Sequence, residues 1–286
     1  MRASLSAIPL QLFPAKAIIT HQSPLEFHHY DARGHVIAVN NGDTVLVRGF
    51  QSWTGQPYIS GGGLSGKYYL QQFHFHWGDS DTTGSEHTLD LLHYPVEVHF
   101  VHVLEGHNET AAHNATHVIA VVSVMLQVAD EDDVLANLED AVIANKYPWL
   151  RRLYVPQQTV SNPNPSDIVE KYAYSPAGLL PKNTVTFFHY EGSLTTPPCT
   201  EGVVWTILVE PRYVSEKKLN FLRHHVTTEG EHLRHNWRPT QPLNNRTIYL
   251  NRYFNVTKKS EKEQNHRRLL YIARAYYETG KLTGNL

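Results

Sequence analysis

Gln72-Phe73-His74-Phe75-His76-Trp77-Gly78, taken with Glu97-Val98-His99, is the part of the chain that decides its fold and its chemistry. Both segments alternate like strands, on which side chains two apart share a face. His74 and His76 therefore project together, and a neighbouring strand carrying His99 would bring a third imidazole to the same place. Three neutral imidazoles around a tetrahedral zinc leave one corner open, which is the arrangement of a catalytic and not a structural site.

His-x-His alone is also an ordinary polar strand face. With Glu86 and His99 added, the set has a rival: cupin-type oxygenases hold iron or manganese with His-x-His, a Glu and a later His, and there Glu86 would be a ligand. The spacing of these residues does not choose between the two readings.

Outward from this stretch, extended segments dominate. Val36 to Val47 reads as two strands around Asn40-Asn41-Gly42-Asp43, a hairpin turn signal. Lys67 to Trp77 and Tyr94 to Leu104 read as strands, and the nearly continuous apolar run His117 to Val128 as a strand buried on both faces. Thr184 to Tyr190 and Glu201 to Val209 are further strands. Helices are expected at Asp132 to Asn145, with its acids at the start where the dipole favours them, and at Ser215 to His225. The expected class is mainly β (α+β): a single domain on one large, central, mostly antiparallel sheet with a few peripheral helices. An irregular segment is expected over residues 1–30, the domain over 31–256, and a charged tail over 257–286 with an amphipathic helix in Arg267 to Tyr277.

Composition removes several function classes. The chain has 286 residues and a net charge of −2, without a strong cluster of Lys and Arg, which argues against a nucleic-acid surface or a polybasic membrane patch. No apolar run is long enough to span a bilayer. A single cysteine, Cys199, excludes an intrachain disulfide and a cysteine zinc knuckle. Asn-x-Ser/Thr sequons at Asn108, Asn114, Asn245 and Asn255 imply surface loops of a secreted glycoprotein, although residues 1–17 make a poor signal peptide.

Tyr190-Glu191-Gly192-Ser193-Leu194-Thr195-Thr196-Pro197-Pro198 is a turn rich in hydroxyls and stiffened by proline. By composition alone it is an ordinary connection. Together with Phe73 to Gly78, Gly84-Ser85-Glu86-His87-Thr88-Leu89-Asp90, Glu97 to His102, and Asn236-Trp237-Arg238-Pro239-Thr240-Gln241-Pro242-Leu243-Asn244-Asn245-Arg246, it resembles the α-class carbonic anhydrases. The likeness runs in order from about Val36 to Arg246, and in the cupin alternative the Thr195-Thr196 loop has no role.

The resemblance implies a twisted sheet, zinc on His74, His76 and His99, and reversible hydration of carbon dioxide to bicarbonate. Catalysis would involve Thr195, accepting a hydrogen bond from the nucleophile and passing its own proton to Glu86. Thr196 would touch bicarbonate, and Leu194, Val101, Val121 and Trp205 would form an apolar substrate pocket. Gln72 would support His74, Glu97 would support His99, the Asn236 carbonyl would support His76, and Tyr190 would help hold the network. His87 and His102 look structural. The partner is a small molecule, and the chain is expected to be a monomer. The alternative is a weak or inactive relative serving as a binding or matrix module, but such relatives usually lose a zinc histidine and this chain keeps all three.

Three departures stand out. Asp43 occupies the position at which fast members carry a proton-shuttling histidine, and a carboxylate, ordinarily near pKa 4, is badly matched to moving protons at neutral pH. Leu46 replaces a residue that is usually polar. Cys199 resembles the secreted branch, in which this cysteine pairs with one in an N-terminal region that this chain is expected to lack. Slower turnover, an N-terminally shortened form and a free or intermolecular thiol are the corresponding expectations.

Overall fold

The computed structural model describes residues 8–108, 115–130, 134–135, 138, 168–197, 199–227 and 231–252. Its strands, in chain order, are β1 (Gln11–Leu12), β2 (Ile18–Thr20), β3 (Leu25–His28), β4 (Gly34–Asn40), β5 (Val45–Arg48), β6 (Tyr58–Gly61), β7 (Tyr68–Trp77) and β8 (Thr88–Leu89). They continue with β9 (Val96–Leu104), β10 (Ile119–Val128), β11 (Ile168–Tyr174), β12 (Thr186–Ser193), β13 (Glu201–Leu208), β14 (Arg212–Val214) and β15 (Tyr249–Arg252). A short helix, α1, spans Glu216–Leu222.

Thirteen of these strands form one sheet in the order β11-β4-β5-β7-β9-β10-β13-β12-β15-β2, with β14 beside β10 and the β3–β6 pair beside β7. Most pairings are antiparallel, as expected. β10 is the exception at the centre: it runs antiparallel to β9 but parallel to β13 and β14, and β15 runs parallel to β2. The sheet is therefore mixed.

Strand alternation sorts the side chains. On β7, Phe73, Phe75 and Trp77 enter one core, which also takes Val98 and Phe100 from β9 and Val122 and Val124 from β10. Each such side chain contributes about 1.5–3 kcal/mol on burial. That packing leaves His74 and His76 no choice of face, because a slip of one residue would expose the aromatic set and bury the imidazoles in its place. The second core lies on the imidazole side and holds Val101, Val121, Tyr190, Trp205, Ile8, Leu10 and Leu12.

The Asn40-Asn41-Gly42-Asp43 turn joins β4 to β5 as expected, with Gly42 at φ +93°. Asn41 Oδ1 accepts from the backbone N–H groups of Asp43 (3.0 Å) and Thr44 (2.9 Å), and Asn40 Oδ1 from that of Gly42 (2.9 Å). The expected helix near Ser215 is α1, capped by the Ser215 side chain, which accepts from the Lys218 N–H at 3.3 Å.

The beginning of the chain differs from its expected irregularity. Within residues 8–30, β1 pairs parallel with β8, β2 pairs parallel with β15, and β3 pairs antiparallel with β6. Ile8, Leu10 and Leu12 are fully buried, and a Cβ at Gly192 would come within 2.5 Å of Ile8 Cγ2. The expected helix over Asp132 to Asn145 lies outside the described residues except for Val134, Leu135 and Leu138, all buried. The tail after 257 lies wholly outside them, as do Asn114 and Asn255.

Candidate active site

Two rungs of the sheet lay out the site. One runs Leu46–His74–His99–Ser123 across β5, β7, β9 and β10. The next runs Arg48–Gln72–Val101–Val121–Trp205 and extends onto β13. His76 stands opposite Glu97. Residues paired across strands share a face, so β7 and β9 bring the imidazoles together without help from any loop.

The ring centroids of His74, His76 and His99 lie 4.6 to 5.3 Å apart. One nitrogen of each is held from behind. His74 Nδ1 donates to Gln72 Oε1 (2.9 Å), His76 Nδ1 to the Asn236 carbonyl (3.0 Å) and His99 Nε2 to Glu97 Oε1 (2.7 Å). Those bonds fix the tautomers and leave Nε2, Nε2 and Nδ1 as the atoms that can ligate. The three rings offer nitrogens within 4.8 Å of one another. His76 Nε2 is buried and has no hydrogen-bond partner. Burial depresses the pKa of all three, well below the ordinary value for His74, where His76 and His99 add to it. The neutral form that a metal requires is therefore the resting form.

Glu97 is the hub behind His99. Its Oε1 also accepts from His87 Nδ1 (2.6 Å) and Ser123 Oγ (2.6 Å), and its Oε2 from the His87 N–H (2.8 Å). Burial alone would raise the pKa of this carboxyl, but the facing imidazoles of His87 and His99 and their hydrogen bonds hold it well below the usual range. His87 Nε2 in turn accepts from the Tyr190 hydroxyl (2.6 Å). His87, Glu97 and His99 are close enough to form a metal-ligand set of their own. Their facing atoms are instead bonded to one another and His87 Nε2 to Tyr190, which leaves His99 Nδ1 as the one free imidazole nitrogen and makes the set a hydrogen-bonded support.

Glu86 is 1 % exposed, and burial raises its pKa to about 7 despite the opposing influence of His99. Its Oε1 accepts from the Arg238 N–H (3.0 Å). Thr195 interacts with it and favours the charged form, yet Oε2 closes no hydrogen bond. The carboxylate is 3.6 Å from His76 Nδ1, the nitrogen already turned toward Asn236, and 3.9 Å from His99 Nδ1.

A cavity of about 150 Å³ opens beside the imidazoles. Gln72, His74, His99, Val101, Val121, Leu194, Thr195, Thr196 and Trp205 line it, so every expected pocket residue meets here. Val103 and Ile119 also line it and were not expected. They lie two residues from Val101 and Val121, so period-two alternation was the available signal. The Trp205 indole donates to the Ser193 carbonyl (2.9 Å) and stands edge-on to His99. The loop carrying the threonines is closed by bonds from the Leu194 N–H to the Thr200 carbonyl (2.8 Å) and from the Cys199 N–H to the Thr196 carbonyl (2.9 Å). Asp43 is exposed, and Asn236 Nδ2 donates to its carbonyl (2.9 Å).

Comparison with known proteins agrees with this geometry. The family model for eukaryotic-type carbonic anhydrase matches residues 8–252. The chain belongs to that family. It is 41 % identical over 226 residues to putative carbonic anhydrase 5 of Caenorhabditis elegans, covering 78 % of this chain and 68 % of that one. Putative carbonic anhydrase 3 of the same organism is 38 % identical over 243 residues, covering 85 % and 88 %. Human carbonic anhydrase 7 is 32 % identical over 247 residues, covering 84 % and 86 %. The match begins at residue 8, consistent with the strands found in the segment before residue 30. The carbonic anhydrases are zinc-dependent, and the donors gathered here, three neutral imidazoles with one buried nitrogen unpartnered, suit that ion.

Proposed function

We propose that this chain interconverts carbon dioxide and bicarbonate, with zinc held by His74, His76 and His99. The observation that carries this is the buried, unpartnered Nε2 of His76 among three imidazoles whose other nitrogens are all taken. Zinc, when bound, supplies the Lewis acidity that lets water lose a proton near neutral pH. Carbonic anhydrase is a standard example of that chemistry.

The chain's own residues do the rest. Gln72, Glu97 and the Asn236 carbonyl orient the three rings. Thr195, beside Glu86, would accept a hydrogen bond from the attacking hydroxyl while donating its own proton in a hydrogen bond to the carboxylate. The nucleophile's lone pair is thereby turned toward the cavity. Glu86 is kept from rotating by the Arg238 N–H. Val101, Val121, Leu194 and Trp205 offer an apolar wall against which a nonpolar gas displaces little ordered water, and Thr196 lies where bicarbonate would be touched. On this reading Glu86 is an acceptor, held at Oε1 by the Arg238 N–H, whereas the oxygenase alternative would make it a ligand.

The test is metal analysis combined with stopped-flow hydration of carbon dioxide on the purified protein. One zinc per chain with sulfonamide-sensitive turnover is expected. Zinc without turnover would point to a binding module, and iron or manganese to an oxygenase.

The chain is also read as a secreted glycoprotein. Asn108 and Asn245, two of its sequons, are exposed, and no helix among the described residues is long and apolar enough to cross a membrane. A mobility shift on glycosidase treatment of the protein from its native source tests this.

A further inference from the structure

The rung that walls the cavity does not stop at the cavity. Trp205, Val121, Val101 and Gln72 are consecutive members of it, one from each of β13, β10, β9 and β7, and all four line the cavity. The next strand outward is β5, and its member is Arg48, paired with Gln72. Register is uninterrupted between them: Leu46 faces His74, Val47 faces Phe73 and Arg48 faces Gln72. Phe73 and Val47 enter the opposite core, so Leu46 and Arg48 share the face of the imidazoles.

Leu46 is half-buried beside His74, and Arg48 is exposed. No acidic side chain among the described residues pairs with Arg48. The other charged residue on this hairpin near the site, Asp43, sits before the opposite end of β5. The rung thus ends in a guanidinium that has no acidic partner among the described residues, next to the residue that holds His74. With strands about 4.8 Å apart and about 3.4 Å of rise per residue, that charge stands on the order of 10 Å from the cluster.

We infer that Arg48 is a specificity-determining residue at the cavity mouth, which draws small carboxylate-like anions, bicarbonate among them, toward the site. Guanidinium presents a planar fork that matches a carboxylate or bicarbonate edge. An anion approaching along this rung meets the cation before the apolar wall, whereas carbon dioxide carries no charge for the cation to act on. Arg48 therefore acts on the anion in both directions of the reaction, on bicarbonate whether it enters or leaves, and on other anionic ligands reaching the mouth. This rests on the carbonic anhydrase reading of the same site.

The test compares the zinc-loaded wild type, Arg48→Glu and Lys217→Glu. Lys217 is exposed on α1 and absent from the cavity lining, so its substitution reproduces the change in net charge alone. At about 0.01 M ionic strength R48E should raise KM for bicarbonate by about three- to tenfold, and the difference should close near 0.5 M, where screening reaches within a few ångströms. KM for carbon dioxide should move much less, with kcat for dehydration rising relative to kcat for hydration by the factor that the fixed equilibrium constant requires. By calorimetry, 4-carboxybenzenesulfonamide should lose affinity for R48E by a similar factor, while its uncharged carboxamide analogue should not. K217E should shift neither reading. An active wild type with R48E and K217E indistinguishable, or with both sulfonamides weakened equally, would overturn the role of Arg48 alone. A wild type that binds zinc and hydrates nothing would instead overturn the function on which it rests.

Discussion

His99 donates from Nε2 to Glu97 Oε1 at 2.7 Å, and that bond decides which nitrogen of His99 remains to ligate. Glu97 is in turn held by Ser123 and by both the side chain and the backbone of His87, in a place with no access to water. Replacing Glu97 with Gln puts an amide N–H where an acceptor is needed and frees His99 to rotate. Zinc affinity should fall by about 10- to 100-fold. Competition against a chromophoric chelator measures it, and an unchanged affinity would show that His99 is oriented by something else.

Asp43 gives a prediction about proton export. Its backbone is tied to Asn41 and Asn236, so a new side chain leaves the turn intact. Imidazole buffer should raise steady-state hydration by the wild type, and Asp43→His should raise the rate in poorly buffering solution by about tenfold or more. The two remedies should not add. A wild-type rate indifferent to imidazole would mean that protons leave by another route.

Two buried histidines outside the metal cluster make the fold sensitive to acid. His102 donates from Nδ1 to the Ala120 carbonyl (3.2 Å) and accepts at Nε2 from the Tyr30 hydroxyl. His225 donates from Nδ1 to the Leu222 carbonyl (3.1 Å). Burial lowers their pKa values to about 3 and about 4. In the unfolded chain both protonate near 6.5. The unfolded chain therefore takes up more protons as pH falls from about 6.5 to about 3, and stability drops across that window, by about 1.4 kcal/mol per pH unit for each ring fully titrating. His102→Gln retains a donor and an acceptor but cannot titrate. Its denaturant midpoint should fall less steeply between pH 6 and pH 4 than that of the wild type, and parallel curves would contradict the assignment.

Gly192 tests whether the first described residues belong to the body of the fold. An added methyl group would press on Ile8 Cγ2 at 2.5 Å and on Tyr190 Cε2 at 2.9 Å. Gly192→Ala should cost about 1–3 kcal/mol in thermal or denaturant unfolding. No loss would mean that Ile8 yields freely and that the strap over Trp205 and Tyr190 is loosely held.

The central strands were legible because their alternation is strong. Phe73, Phe75 and Trp77 against His74 and His76 assign both faces of β7, and the apolar run in β10 announces a strand covered on both sides. The strands that escaped notice are short or lie at edges. β1 has two residues, and β2 is an edge whose Ile18 and Ile19 remain exposed, so neither burial nor period marked them. In the site, the metal-side histidines could be read from strand alternation, whereas the threonine loop, an ordinary connection by composition, was marked only by the family resemblance. Ser123 and Arg238 could not be read. Their roles depend on register and on one backbone N–H, and neither is written in residue identity. Nor does any local pattern declare that β10 runs parallel to β13, the pairing that brings Trp205 beside Val121.

The central claim is that His74, His76 and His99 converge on one zinc ion. X-ray absorption at the zinc edge of the loaded protein tests it most directly. Three imidazole nitrogens at about 2.0–2.1 Å, recognised by scattering from their outer ring atoms, and one further oxygen ligand are predicted. A first shell containing a protein carboxylate, or fewer than three imidazoles, would contradict it.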